Sequence, residues 1–311
     1  MKKEIGKVVL DYECYPGKDL YSDGDIEDTL LDIVKNNSEK EFNKIIFEKG
    51  DWAIMYHLSP LRANILNWYP IEKSESVLEI GSGCGAITST LADKAGSVTC
   101  IDLSEKRSLI NAYRNKDRDN ITIKLGNFEK VEKTLTQKYD IITLIGVFEY
   151  GEAYISTQDP YLQFLKIIKK HLKKNGKIII AIENKFGLKY WSGCQEDHFG
   201  GYFVGIENYI GKNGVKTFSK EGITGIIEEA GFMSHEFYYP YPDYKFADTI
   251  YSDYRLPMPG ELRNNMRNFD RQRMVFFDET KVFNNIIEEN LFPLYSNSFL
   301  IIIKEGADAN E

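Results

Sequence analysis

Between residues 77 and 88 the chain reads VLEIGSGCGAIT, an apolar strand that runs into alternating glycines and out into a helix. Glycines at 81, 83 and 85 let the backbone approach a ligand more closely than a side chain would allow. The helix that follows offers free N–H groups in its first turn. Two chemistries fit this turn. Gly81, Gly83 and Ala86 satisfy a G-x-G-x-x-G/A dinucleotide fingerprint, with Asp102 where a ribose-binding acid is expected. Glu79, two residues before the first glycine, instead suits a cationic sulfonium ligand near a buried carboxylate. Gly85 extends the run to G-x-G-x-G, and the turn comes only after about 75 residues of other chain. These three features favour the sulfonium ligand.

The elements that must position these residues follow a regular alternation. SVLEI (76–80), SVTCI (97–101), ITIKL (121–125), DIITLIGV (140–147) and KIIIAIE (177–183) read as strands. Helical spacing separates them, with helices predicted to Ala95, over 105–116 and over 159–173, the last stopped by Asn175-Gly176. Apolar strands alternating with helices predict a parallel sheet buried on both faces. Ahead of it, residues 1–55 carry a short strand at 7–12 and two helices, expected to act as a lid or brace. The alternation breaks after Glu183. Segments 184–216 and 243–275 are glycine- and aromatic-rich insertions. Between and after them come a helix over 218–232 capped by Ser219, a strand at 233–242, a helix over 276–290 and a closing strand at 298–305. The fold class predicted is α/β, a doubly wound, mostly parallel sheet of seven strands with an N-terminal helical lid and inserted cap segments. From about Gly306 the chain reads as a polar tail.

From Tyr56 to Glu183, and again in the final helix–strand pair, the sequence resembles the class I S-adenosylmethionine-dependent methyltransferases. The resemblance implies S-adenosylmethionine as cofactor. Glu79 and glycines 81, 83 and 85 match the family's first motif, Asp102 would take the ribose hydroxyls, and Leu103 would touch the adenine. Asn127 and Phe128 stand where the family often has a Gly-Asp pair, and Gly146 and Val147 would line the methionine side. Tyr56 and Arg62, in YHLSPLRANIL (56–66), join the cofactor set. The insertions, IENKFGLKYWSGCQEDHFGGYFVGIENY (182–209) and YYPYPDYKFADTIYSDYRLP (238–257), are similar to methyltransferases that accompany bacterial surface-glycan or peptide-modification gene sets. That likeness implies O-methylation of a bulky acceptor, either a modified peptide's C-terminal carboxylate or a hydroxyl or phosphate of a cell-envelope glycan.

Methyl transfer needs an aligned acceptor and a dry site. A hydroxyl acceptor also needs a base. His198 is the candidate, with Asp197 or Glu207 to orient it. A carboxylate acceptor needs cations and donors instead, for which Arg62, Lys185, Lys189, Tyr190 and Arg255 are available. Glu183 and Asn184 end the fifth strand, at the carboxyl edge where such folds bind ligands. The spacing of Asp197, His198 and Glu207 matches no metal motif. Glu149 and Glu183 could imitate the paired acids of metal-dependent relatives, but no metal is expected. A non-catalytic cofactor-binding scaffold and an NAD-linked oxidoreductase are the competing readings.

Composition bounds the partners. Among 311 residues, the formal net charge of -8 repels a phosphate backbone, so nucleic acid is not an expected partner. The four cysteines, at 14, 84, 100 and 194, form no C-x-x-C pair, which points to reduced thiols in the cytoplasm. No apolar run approaches the roughly 20 residues of a membrane span, and the N-terminus does not read as a signal peptide.

Overall fold

The computed structural model describes residues 1–19, 22, 24–265 and 273–305. The polar tail predicted from Gly306 and part of the second insertion lie outside the described residues. The chain divides into two compact units, 1–144 with 170–177, and 145–169 with 178–311.

The first unit holds strands β1 (Lys2–Ile5), β2 (Val8–Asp11), β3 (Ser76–Ile80), β4 (Ser97–Asp102), β5 (Ile121–Leu125) and β6 (Tyr139–Ile145), the last of which ends at the unit boundary. Their order is β1-β2-β5-β4-β3-β6. From β2 to β6 every pairing is parallel, while β1 and β2 form an antiparallel hairpin. Apolar runs such as Val77–Ile80 are buried, as expected of a parallel sheet covered on both faces. The N-terminal helices Ile26–Asn36, Phe42–Lys49 and Trp52–Leu58 share one core. Leu30, Val34, Phe42, Ile54 and Leu58 pack with Cys84 and Ile110 in one buried cluster. Ion pairs fasten the same segment to the helix Glu105–Arg114, through Arg107 to Glu27 at 2.8 Å and Arg114 to Glu39 at 2.9 Å.

The second unit contains the end of β7 (Leu172–Glu183, from residue 178), β8 (Ser234–Tyr241), β9 (Thr249–Ser252) and β10 (Ser298–Lys304), in the order β7-β10-β8-β9. β8 is antiparallel to both β10 and β9. Its core is aromatic. Phe148 stacks on Phe164 at 6.0 Å and meets Tyr161 edge-on at 5.6 Å, while Tyr239 meets Phe292 and Phe299. Much of the aromatic excess in the composition is therefore core packing.

The fold is a Rossmann-like α/β fold with a mixed sheet. The described residues contain ten strands, not seven. The additional ones are β1, β2 and β9. The sequence reading placed one strand at 7–12, where the chain folds back as a hairpin with Gly6 at φ 58°, and read β9 as part of an irregular insertion. One boundary also moves. The helix Pro160–Lys170 stops before Asn175-Gly176, and β7 begins at the buried Leu172, with Asn175 in the left-handed region at φ 63°. Asn tolerates that conformation better than most residues, so the pair did not mark the helix end.

Candidate cofactor and acceptor sites

The residues of the first unit expected to hold a cofactor come together because three parallel strands end in register. Ile80 pairs with Ile101 and Asp102 with Leu125, so the turns after β3, β4 and β5 emerge side by side. Gly81, Gly83 and Gly85 all take positive φ, at 70°, 51° and 78°, which makes the turn a glycine turn by conformation. Gly83 N–H donates to Asp102 Oδ2 at 2.7 Å, and Ser104 N–H donates to Oδ1 at 2.9 Å. Asp102 is thus fixed on both oxygens by backbone donors, and each oxygen keeps a lone pair for a ribose hydroxyl. Burial raises its pKa, opposed by those two N–H groups and Arg107.

Glu79 sits beneath the turn. Its carboxylate accepts a 2.5 Å hydrogen bond from the Thr88 hydroxyl, and Thr88 accepts in turn from Asn111 Nδ2 at 3.0 Å. Burial pushes the Glu79 pKa up to about 7, against the lowering effect of the Thr88 bond.

The remaining cofactor residues divide. Leu103 is half-buried after β4. Asn127 caps the short helix Phe128–Val131, its side chain accepting from Glu129 N–H at 2.9 Å, and Phe128 is fully buried. The positions expected to reach adenine thus have local jobs, a cap and a core ring. Arg62 is buried with its guanidinium 4.4 Å from the Tyr56 ring centroid, and its Nη2 lies 3.4 Å from the Tyr56 hydroxyl. In the second unit Gly146 takes φ 68°, and a Cβ there would lie 2.7 Å from the Tyr244 hydroxyl, while Val147 is buried.

The two glycines of the turn separate folding from binding. A Cβ on Gly85 would strike Asn111 Oδ1 at 2.4 Å, and that side chain is tied to Thr88 and Asn115. Gly85→Ala is expected to cost about 3 kcal/mol of folding stability from left-handed strain plus overpacking. A Cβ on Gly83 meets nothing within 4 Å. Gly83→Ala should cost about 1–2 kcal/mol in stability, yet weaken cofactor binding more than tenfold. Melting curves with and without S-adenosylhomocysteine check both.

The second unit brings a polar cluster together after β7 and β6. His198 Nδ1 lies 2.9 Å from Glu196 Oε1, and its Nε2 lies 3.8 Å from Glu149 Oε1. Glu196 is itself held by the backbone N–H groups of His198 and Phe199, at 2.8 and 2.6 Å. Burial opposes the charged ring, but hydrogen bonds to Glu149 and Glu196 hold the His198 pKa well above its ordinary value. This corrects one expectation: the carboxylate that orients the ring is Glu196, and Glu207 is exposed.

Asp197 instead joins a buried ion network. It accepts from Tyr190 at 2.5 Å and from Lys245 at 3.0 Å, and it pairs with Lys189 at 3.0 Å; Lys189 also meets Asp243 at 2.8 Å. Lys245 contacts Glu183 as well. Asn184 is structural, donating to the Leu294 and Ser296 carbonyls and accepting from Phe186 N–H. Sequence reasoning missed Glu196, Asp243 and Lys245. The last two lie more than 40 residues from Asp197, and no spacing rule links them to it.

Residues 71–200 match a family described as a methyltransferase domain. Among curated proteins, the ubiquinone biosynthesis O-methyltransferase of Hydrogenovibrio crunogenus is 27% identical over 37% of this chain and 48% of its own. The ribosomal RNA small subunit methyltransferase A of Mycoplasma mobile is 24% identical over 70% of each chain. The chain spans about half the length of the ubiquinone biosynthesis enzymes it matches, 48% and 55%. The solved structure of Haemonchus contortus phosphoethanolamine N-methyltransferase 1, in complex with phosphoethanolamine and S-adenosylhomocysteine, is similar with a TM-score of 0.49 and 16% identity, over 94% of this chain and 53% of that one. Among the described residues, no helix is long and apolar enough to cross a membrane. Over residues 71–200 the chain is thus similar to a methyltransferase domain.

Proposed function

We propose that the protein transfers a methyl group from S-adenosylmethionine to a hydroxyl oxygen of a bulky acceptor, a glycan in preference to a peptide carboxylate. The observation that carries the methyl-transfer reading is the glycine turn at 81–85, tied by the Gly83 N–H to the carboxylate of Asp102. The acceptor oxygen attacks the methyl carbon, the C–S electrons return to sulfur, and neutral S-adenosylhomocysteine leaves. The hydroxyl proton leaves to solvent. The preference for a hydroxyl rests on the occupied cations. Lys189 is paired with Asp197 and Asp243, Lys185 with Asn208 and Arg255 with Glu261. An ionised acceptor would also meet Glu149, Glu183 and Asp197, whereas a neutral hydroxyl pays no such repulsion. The long insertions at 184–216 and 243–275 support a large acceptor.

Calorimetry with S-adenosylhomocysteine and with NAD, on the same protein, tests the cofactor. Binding of NAD with no heat from S-adenosylhomocysteine at millimolar concentration would sink the reading. Binding without methyl transfer to any hydroxyl acceptor would favour a scaffold. Glu79 adds a pH signature. With a pKa near 7 it is neutral below that pH and ionised above it, and a sulfonium cation favours the ionised form. Affinity for S-adenosylmethionine is expected to rise, by at most about tenfold, between pH 6 and 8. S-adenosylhomocysteine, whose sulfur is neutral, should change less, and Glu79→Gln should flatten both profiles.

A further inference from the structure

Glu149, Glu183 and His198 each offer a ligand atom, and these atoms all lie within 4.8 Å of one another. Glu149 and Glu183 are almost wholly buried, at 1% and 0% exposure. One oxygen of each, Oε2, is buried with no hydrogen-bond partner. An unpaired buried carboxylate oxygen is costly, and two of them side by side are more so. Lys245 meets Glu183 only on Oε1, which leaves the orphaned oxygens unanswered.

The histidine is set up as a ligand. Its Nδ1 faces the Glu196 carboxylate, and Glu196 is pinned by two backbone N–H groups. With Nδ1–H donated to Glu196, the lone pair resides on Nε2, the nitrogen near Glu149. A carboxylate behind a ligating imidazole fixes the tautomer and raises ring basicity. Ligand atoms bound to one ion at about 2.0–2.2 Å stand about 3–3.5 Å apart. The three side chains therefore need to draw in by about an ångström.

We infer that Glu149, Glu183 and His198 form a binding site for one divalent cation. The donor set of one imidazole and two carboxylates suits Mn²⁺ or Zn²⁺ rather than Ca²⁺, which takes oxygen ligands only. A cation there answers both orphaned oxygens at once. It would hold the acceptor's hydroxyl oxygen and make its proton easier to release. This role deepens the hydroxyl-acceptor reading and rests on it, whereas binding of the ion does not depend on the cofactor.

Equilibrium dialysis of the full chain with Mn²⁺ or Zn²⁺, without S-adenosylmethionine, is the test. About one equivalent is expected. Glu149→Gln and Glu183→Gln should each weaken uptake more than tenfold, and Glu196→Gln by roughly 10- to 100-fold. Glu228→Gln, on an exposed helix face, should leave it unchanged. X-ray absorption on the Zn²⁺-loaded wild type should show one nitrogen and carboxylate oxygens at the metal, a readout that stands even where a variant fails to fold. No uptake at millimolar metal, sulfur ligation, or uptake indifferent to folded Gln variants would overturn the site. Failure of metal uptake with S-adenosylhomocysteine binding intact removes the ion alone. Failure of S-adenosylhomocysteine binding removes the methyl-transfer reading and leaves the metal result standing.

Discussion

Replacing Asp102 with Ala is expected to raise the dissociation constant for S-adenosylhomocysteine at least a hundredfold. Asp102 is buried at 8% exposure, and its two oxygens are held by the N–H groups of Gly83 and Ser104. Hydrogen bonds to a charged acceptor contribute about 1.5–3 kcal/mol each. A ribose that loses two of them loses about 3–6 kcal/mol, a factor of roughly 10² to 10⁴. The variant also frees the Gly83 N–H, so the turn loses an anchor. Asp102→Asn, which keeps the shape and one acceptor oxygen, should fall between the two. Calorimetry reads the effect, and a change under fivefold in a folded Ala variant would show that Asp102 does not hold the sugar.

The second large effect is on folding. Lys189→Met is expected to cost about 3–5 kcal/mol, because it removes one partner from a buried ion network and leaves the others uncompensated. Lys189 is 4% exposed, with Asp197 at 3.0 Å and Asp243 at 2.8 Å. Burial alone would lower the lysine pKa, but the two aspartates hold it above its ordinary value. The Asp243 pKa is lowered against its burial, chiefly by Lys189 and Lys245. A depressed carboxylate contributes stability that is present above its unfolded pKa of about 3.9 and is lost as pH falls through the folded value. The gap between wild type and Lys189→Met should therefore be full near pH 7 and shrink below about pH 4. Urea unfolding at the two pH values measures it. An equal gap at both would mean that the methionine's packing, not the charge, sets the cost.

The two sites differ in how far the sequence exposes them. Glu79, the three glycines and Asp102 are legible because β3 and β4 are consecutive parallel strands, and register places neighbouring strand ends together. Local order along the chain becomes proximity at the edge of the sheet. The strands 76–80, 97–102 and 121–125 were readable for the same reason, as short apolar runs bounded by turns. The network around His198 was only partly readable. His198 and Asp197 stood out by type and context, but their partners Glu149, Glu183, Asp243 and Lys245 come from three separate segments. No periodicity connects those segments, and only the folded chain does. Glu196 was missed although it lies two residues from His198, because an i, i+2 contact in an irregular turn has no pattern to announce it. Asn127 and Phe128, aligned by resemblance with a family motif, also serve as a helix cap and a core ring.

The hairpin that opens the chain has a consequence for how the protein behaves in concentrated solution. β1 is only four residues long, and Lys2, Lys3 and Glu4 point exposed charges along it. Short, charged margins discourage strand-to-strand association between molecules. Behind it lies β2, with Val8 and Leu10 wholly buried. Stripping β1 away would turn that apolar strand into an open template with unpaired ladder groups. The exposed charges of Lys2, Lys3 and Glu4 are thus expected to oppose aggregation.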